Sequence, residues 1–561
     1  MTTPLASAAA VAVDSVLTDR IKPLLATYDP TTTTATTSDR SLLVSLAGQV
    51  DHALPDSAAT LVQSRLPHEL LITISALLKF PPSEEQDQDT QDVTLTKVNR
   101  HHEPLLRISS SIAACLIHTE DQINSSLSET VAVRARLIMV FAKFSHQDPA
   151  APRLCTAQAV EYATGKFSRP LEPRTQLDPA PLSATLSHLL SNPPTLRLPI
   201  LDHLLSKLLP PIFKPHPHIN PTTGRAVARP AGGVNALLDW FDSNRSHSTG
   251  DGTGASDWRI DVGLHNVVRF VVASLEKEDI ESRWHLVLPP LLTYLDDYSP
   301  LNKLLGVDLL SALLERTSGP LLTKTGVGKV FSTIGSILQS LDACLSSLSS
   351  PYSPSLLLKT HQVYLTLLHQ TYPAPSPTQA SSQAHLPLLQ LGIIRVWEFH
   401  PSHIALFKAT IEGLGPLLRS KGFGAMGTIR FLGVLVPHLV GVLETSCRTT
   451  IGAGIRTGRG LGEGNREVIE YALRGLKEVV GNAEERIRES AKWKGMVLMQ
   501  LGKTWVVTRE DKEGQGDKGE KEELETLLRE LMAMIGDETD QQRFLELDED
   551  MFAPLFANDN P

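Results

Sequence analysis

The sequence predicts an all-α protein built from stacked helical hairpins, a solenoid rather than a single globular core. Three observations lead there. Aromatic residues make up only 5% of the chain while Leu, Ala, Val and Ile are plentiful, which suits helix packed on helix better than the β-branched, aromatic interior of a sandwich. Apolar residues recur at spacings of three and four in segment after segment, the pattern of helices with a buried side. At 561 residues the chain exceeds one ordinary domain, and a helical array grows by adding units without dividing into separate cores.

The N-terminal region, 1–210, reads as helical. Helical spacing covers Ala6 to Tyr28, Leu42 to Val50, Ala58 to Phe80, His101 to His118 and Gln122 to Phe144. The Thr31 to Thr37 run is too β-branched and polar to continue a helix,. Pro81 to Val93 is acidic and Gln-rich, with little to bury, and is expected to be an exposed or disordered loop,. Leu182 to Leu190 and Leu196 to Leu209 make a candidate hairpin across Pro193 and Pro194. Residues 211–256 are rich in Pro, Gly and polar side chains around a short helix at Val234 to Phe241, and read as the boundary between halves,.

The clearest unit opens the C-terminal solenoid, 257–507. Trp284, Leu288, Leu291, Leu292 and Leu295 share one side of a first helix, in which Pro289 and Pro290 mark either a kink or the true start,. Asp296, Asp297, Tyr298, Ser299 and Pro300 form a turn, with Ser299 as N-cap and proline as the first helical residue,. The second helix carries Leu301, Leu304, Leu305, Val307, Leu309, Leu310, Leu313 and Leu314 around more than one stripe, so it needs more than one neighbour,. One acid of the turn is expected to accept bonds from turn amides and to cap the second helix. A partner-facing role for the other acid or for Tyr298 is the alternative.

Further helices follow at Val327 to Leu348, Pro354 to His369, His385 to Glu398, His403 to Leu418, Ala425 to Glu444, Arg466 to Val480 and Glu484 to Val507, with a loop at Tyr372 to Gln383,. Residues 508–561 read as a charged, glycine-containing hinge, a helix at Leu524 to Ile535 and an acidic tail. That tail, with Phe544, Leu547, Phe552 and Leu555 among its acids, reads as a solvated end or as a linear motif that folds on a partner,.

The charge and motif content narrows the function classes. A formal net charge of -10 argues against nucleic acid as the main partner, since phosphate binding relies on clustered Lys and Arg,. Cys115, Cys155, Cys344 and Cys447 are far apart and form no metal-ligand spacing, which suits buried thiols in a reducing compartment,. The apolar run Phe431 to Leu443 is shorter than a bilayer requires and contains Pro437 and His438, so no membrane span is expected,. The first residues lack a basic n-region and read as a helix rather than a signal peptide,.

Gly422, Gly424 and Gly427 spell the dinucleotide fingerprint, but GLGPLLRSK before them reads as a helix end rather than the required strand,. The run from Gly452 to Arg466, with Arg456 and Arg459, lacks the P-loop ending and reads as a solvated loop,. His216 and His218 have no carboxylate or cysteine at ligand spacing,. No catalytic residue, cofactor site or metal site is assigned, and an enzyme that uses GFGAMG for a nucleotide is the least favoured reading.

The hairpin resembles a HEAT repeat, with Asp297 in the turn and Lys303 near the start of the second helix. The string LPPLLTYLDDYSPLNKLLGVDLL is more specific. It resembles the core motif of the Tel two-interacting protein two family, through Leu288, Pro289, Pro290, Leu291, Leu292, Asp296, Asp297, Tyr298, Lys303, Gly306 and Leu310. Trp284 belongs to the same stretch. The resemblance implies a HEAT-like α-solenoid that is the smallest subunit of the triple-T co-chaperone complex. Its implied partners are Tel two-interacting protein one and Tel two. With the ninety-kilodalton heat-shock chaperone, the complex would mature phosphatidylinositol-three-kinase-related kinases of the TOR, ATM and ATR types, in cytoplasm and nucleus. A HEAT adaptor of nuclear transport or vesicle coats is the rival.

Overall fold

A computed structural model describes residues 127–143, Trp258 and, with short omissions, 182–226 and 263–556. The helices expected at 6–28, 42–50, 58–80 and 101–118, the acidic loop at 81–93 and the short helix at 234–241 lie outside the described residues. So do Cys115, Cys155, His216 and His218. The described residues are helical, apart from connecting turns and a single antiparallel bridge between Ile219 and Ala226. The chain divides into two compact units, residues 1–294 with 309–317, and residues 295–308 with 318–561.

In the first unit α1 (Leu127–Ala142) packs on α2 (Leu182–Ser191), α3 (Arg197–His203) and α4 (Gly263–Ser274). A single 3-10 turn at Pro194–Leu196 leads into α3, which continues through a π turn, Leu204–Leu208. Helix α5 (Lys277–Leu295) is tied to α3 by Arg283, whose guanidinium pairs with both Asp202 oxygens. Those hydrogen bonds raise the Arg283 pKa above its ordinary value. Pro289 and Pro290 lie inside α5, not at its start. Phe213, inside the segment 211–256, and Trp258, just after it, close on Tyr294 of α5, with Trp258 and Tyr294 edge to face at 4.9 Å. Part of the Pro-rich segment read as a linker is therefore core.

The hairpin's second helix, α6 (Pro300–Arg316), is buried at every residue from Lys303 to Leu310. This is the all-round burial its leucines predict. The second unit continues with α7 (Gly319–Thr325), α8 (Leu338–Ser346) and α9 (Ser353–Thr371). Helix α10 (Gln379–Leu389) runs through a π turn, Gln390–Ile394, into α11 (Arg395–Phe399). It begins inside the segment read as a loop.

From there the stacking is regular. Helices α12 (Ile404–Arg419), α13 (Gly424–Thr457), α14 (Glu463–Glu489), α15 (Ala491–Glu510) and α16 (Lys518–Ile535) each pack on the next. Helices α9, α12, α14 and α16 also pack in succession, as do α13 and α15. Each helix therefore meets its sequence neighbour and the helix two along, which is how a helical-hairpin solenoid buries its core.

Several boundaries differ from the expectation. Helix α13 runs past Glu444 through Gly452 and Gly454 to Thr457; a glycine inside a helix costs about 1 kcal/mol, which a well-packed helix can absorb. The break expected between Val480 and Glu484 is a kink at Ala483 (φ -139°, ψ 27°) within α14. The stretch Gly424–Arg448 is long and apolar enough to cross a membrane by length and composition alone. In this fold it buries Leu432, Leu435, Leu439 and Leu443 and packs on α12, α14 and α15.

The acidic end forms α17 (Glu538–Leu547) and α18 (Glu549–Phe556). Asp537 and Asp540 make a reciprocal capping box that starts α17, and Lys494 of α15 reaches both carboxylates at 2.6 Å,. Phe552 and Leu555 are buried, and α18 lies on α16. Trp505 Nε1 donates to the Met551 carbonyl at 2.8 Å and Arg529 Nε to that of Pro554 at 3.0 Å. The end of the segment read either as a solvated end or as a motif that folds on a partner is thus docked on its own chain through α18, whose apolar residues Phe552 and Leu555 are buried there.

Deep in this unit His361 of α9 is fully buried against Gly392 of the π turn and Gly413 of α12, positions where a Cβ would collide with the imidazole. Burial lowers its pKa from 6.5 to about 4, with the Gly392 backbone a smaller opposing influence. The folded protein therefore holds the ring neutral where the unfolded chain would protonate it. Stability from this site is complete above pH 6.5 and is lost as pH falls toward 4, by roughly 3 kcal/mol over the whole span,. Denaturant unfolding across that range should show His361→Leu losing less stability with acid than the wild type; equal slopes would contradict the assignment.

Candidate functional site

The motif residues are divided between the two units. In the first, Trp284 is 1% exposed on α5 and Pro290 is buried one turn and a half further along. The loop at Ile219–Ala226 reaches α5 through Gly224, which sits at φ +63° with no room for a Cβ between Trp284 and the His285 backbone. Only glycine combines that dihedral with that approach. Gly224 was not singled out from sequence, because its partner lies sixty residues away and a lone glycine in a Pro-rich stretch reads as linker. Thr293 Oγ1 donates to the Pro289 carbonyl at 2.8 Å. Trp284, Pro289 and Pro290 are thus structural members of a helix wall.

In the second unit the turn after Leu295 is built around two buried charged groups. Asp297 is 4% exposed, and its Oδ1 accepts the Ser299 backbone N–H at 2.8 Å and the Asn302 side-chain amide at 3.2 Å. This is the turn-capping role expected of one acid, with the bonds made inside the turn rather than to the first amides of α6. Lys303 is also 4% exposed and donates Nζ to the Leu295 carbonyl at 2.7 Å. It satisfies the C-terminal end of α5 and places a cation where the helix dipole is negative. Burial lowers the Lys303 pKa, and Asp296 and Asp297 oppose that shift. Gly306, one turn along α6, is buried.

Tyr298 differs from its neighbours. It is 68% exposed at the tip of the turn. Asp296, Asp297, Tyr298 and Lys303 line a cleft of about 840 Å³ with residues of α8 and the end of α11. Phe399 on the facing wall is 67% exposed, and Arg395 bridges Asp342 at 2.5 Å. The cleft lies wholly within the second unit. The facing wall was invisible in the sequence, because α8 and α11 carry no short motif of their own.

The glycines of GFGAMG make a tight inter-helix turn. The chain leaves α12 at Arg419 and enters α13 at Gly424 (φ +50°), with the Gly424 N–H bonded to the Ser420 carbonyl at 2.9 Å. Gly422 presses against His385 and Ser381 of α10, and its carbonyl accepts from Ser382 Oγ at 2.9 Å. Gly422 permits the close approach to α10 while Gly424 supplies the positive φ of the turn, and a helix rather than a strand precedes them. Among the described residues no three His, Cys, Asp or Glu side chains cluster as a metal site. Cys344 and Cys447 are buried free thiols, and burial raises Cys344 to about 12.

A stack of helical hairpins whose most distinctive motif builds one turn and one wall of an open cleft belongs to the class of helical-repeat scaffolds. The model of the Tti2 family matches residues 162–450, about half of the chain. The protein is a member of that family, the Tel two-interacting protein two family that its core motif resembles, whose members are scaffold subunits of the triple-T co-chaperone complex. A search of the curated proteins returned no match.

The division of labour within the turn is measurable. Asp297→Ala strands a buried N–H and should cost about 1–3 kcal/mol in thermal or denaturant unfolding, whereas Tyr298→Ala should stay within about 0.5 kcal/mol of wild type. Equal losses would contradict the separate roles.

Proposed function

We propose that the protein is the Tel two-interacting protein two subunit of a triple-T complex. It binds the larger solenoid Tel two-interacting protein one, with Tel two completing the assembly, and acts by surface contact without turnover. In this role it helps the ninety-kilodalton heat-shock chaperone mature and stabilise phosphatidylinositol-three-kinase-related kinases of the TOR, ATM and ATR types. Loss of the subunit would then weaken nutrient and DNA-damage signalling in cytoplasm and nucleus.

The observation that carries this reading is the family match across residues 162–450, which includes the whole core hairpin. The helix stack supports it, since repeat arrays offer long surfaces and need no enclosed pocket. Affinity purification of the tagged full chain followed by protein identification tests it. Recovery of the other two triple-T subunits, with kinase clients at lower yield, is the expected result. Recovery of transport factors or coat proteins in their place would overturn it.

A further inference from the structure

We propose that α17–α18 is a releasable strap over a docking face on α15 and α16, and that a partner segment of the same chemistry takes its place there. That segment is helical, with acids in its first turn and phenylalanines beyond them. The proposal deepens the reading of the chain as a surface-contact scaffold and does not depend on which assembly it joins.

The strap is held differently from the helices beneath it. Helix α14 buries Ile469, Leu473, Leu476, Val480 and Ile487 among others. No residue of α17 is buried, and α18 buries only Phe552 and Leu555. Gly536 and Asp537 are the whole connection from α16 to α17, so the hairpin can leave without unwinding α16. Segments with few buried apolar contacts are the first to open. The strap is fastened at its start by Lys494, which pairs with Asp537 and Asp540 at 2.6 Å near the surface. Such pairs hold weakly and are screened by salt.

The face beneath shows what it accepts. Lys494 takes the acids of a helix start. About two turns along α15, Gly502 leaves room for the Phe544 ring, from which a Cβ at that position would stand only 2.6 Å away. Phe544 in turn gathers Phe552 and Phe556, with ring centroids at 5.1 and 6.0 Å. At the far end Trp505 Nε1 and Arg529 Nε donate to the Met551 and Pro554 carbonyls at 2.8 and 3.0 Å. These are the last turns of α18, where a cation also meets the negative end of the helix dipole. Bonds to carbonyls read a helix end and not its side chains, so selectivity falls to the acids and the phenylalanines. The chain's own strap is therefore the example of the occupant, an amphipathic helix laid along a groove. A partner segment competes with a tethered rival, and its affinity is reduced by the fraction of molecules in which the strap is closed.

The test uses the full chain and two labelled peptides, followed by fluorescence anisotropy. One peptide has the sequence of residues 537–556; the other carries Asp537→Asn, Asp540→Asn, Phe544→Ala and Phe552→Ala. In the chain itself, Phe552→Ala with Leu555→Ala loosens the strap and leaves α15 and α16 untouched. That variant should bind the first peptide at least about tenfold more tightly than the wild type does, and the altered peptide not at all. Adding Gly502→Leu, which fills the seat of the Phe544 ring, should abolish the gain. Equal affinity of wild type and loosened chain, or no preference between the peptides, would overturn the assignment. If the loosened chain fails to fold, amide exchange of the wild type decides: α17 and α18 should exchange at least about tenfold faster than α14, and equal protection would overturn the strap. Wild-type dimers that exchange straps between copies would put a second copy in the partner's place and overturn the proposal as well. Capture of triple-T subunits by the tagged wild type is scored separately. Failure there, with the peptide result intact, would remove the family-specific reading and leave the docking face.

Discussion

The middle turns of α6 have no side that faces water. From Lys303 to Leu310 every residue is buried, so this helix exists only because other helices cover it all round, and it cannot be stable alone. The same dependence recurs through α12, α14 and α16, each of which packs on its sequence neighbour and on the helix beyond. Burial shared in this way makes stability a sum of neighbour terms. It also explains why the last face must be capped, a task that falls to Phe552 and Leu555 of α18.

The turn between α5 and α6 shows how such an array acquires a functional feature without a pocket of catalytic residues. Two charged groups, Asp297 and Lys303, are buried in it, and each is matched at close range to groups the turn itself leaves unsatisfied. A buried charge without such partners would cost several kcal/mol. Their fixed geometry leaves Tyr298 outside, on the rim of a cleft whose other wall comes from α8 and α11. Stability and recognition thus sit on adjacent residues of one short string.

Much of this was legible in the sequence, for stated reasons. The three-and-four spacing of leucines in 284–316 sufficed to place α5, the turn and α6, and the leucines around α6 foretold burial on several sides. Context in GLGPLLRSK sufficed to read GFGAMG as a turn. Other features depend on distant contacts that no local pattern carries. Gly224 matters because of Trp284, and Phe213 because of Trp258 and Tyr294. The acid-rich end left a solvated end and a partner-folding motif both open because its acids alternate with apolar residues, yet Trp505 and Arg529 supply donors for the Met551 and Pro554 carbonyls. Pro289 and Pro290 sit within α5 where local rules allowed either a start or a kink, since tertiary packing outweighs a lost backbone bond.

The central claim is that from α12 onward the second unit is one continuous stack in which each helix packs on the next, closed by α18. Amide hydrogen exchange of the full chain, read by mass spectrometry, tests it directly. The account predicts slow exchange in the inner helices α12 and α14, with measurable protection still present in α18. Rapid exchange across α14, or an α18 as unprotected as a random chain, would contradict it.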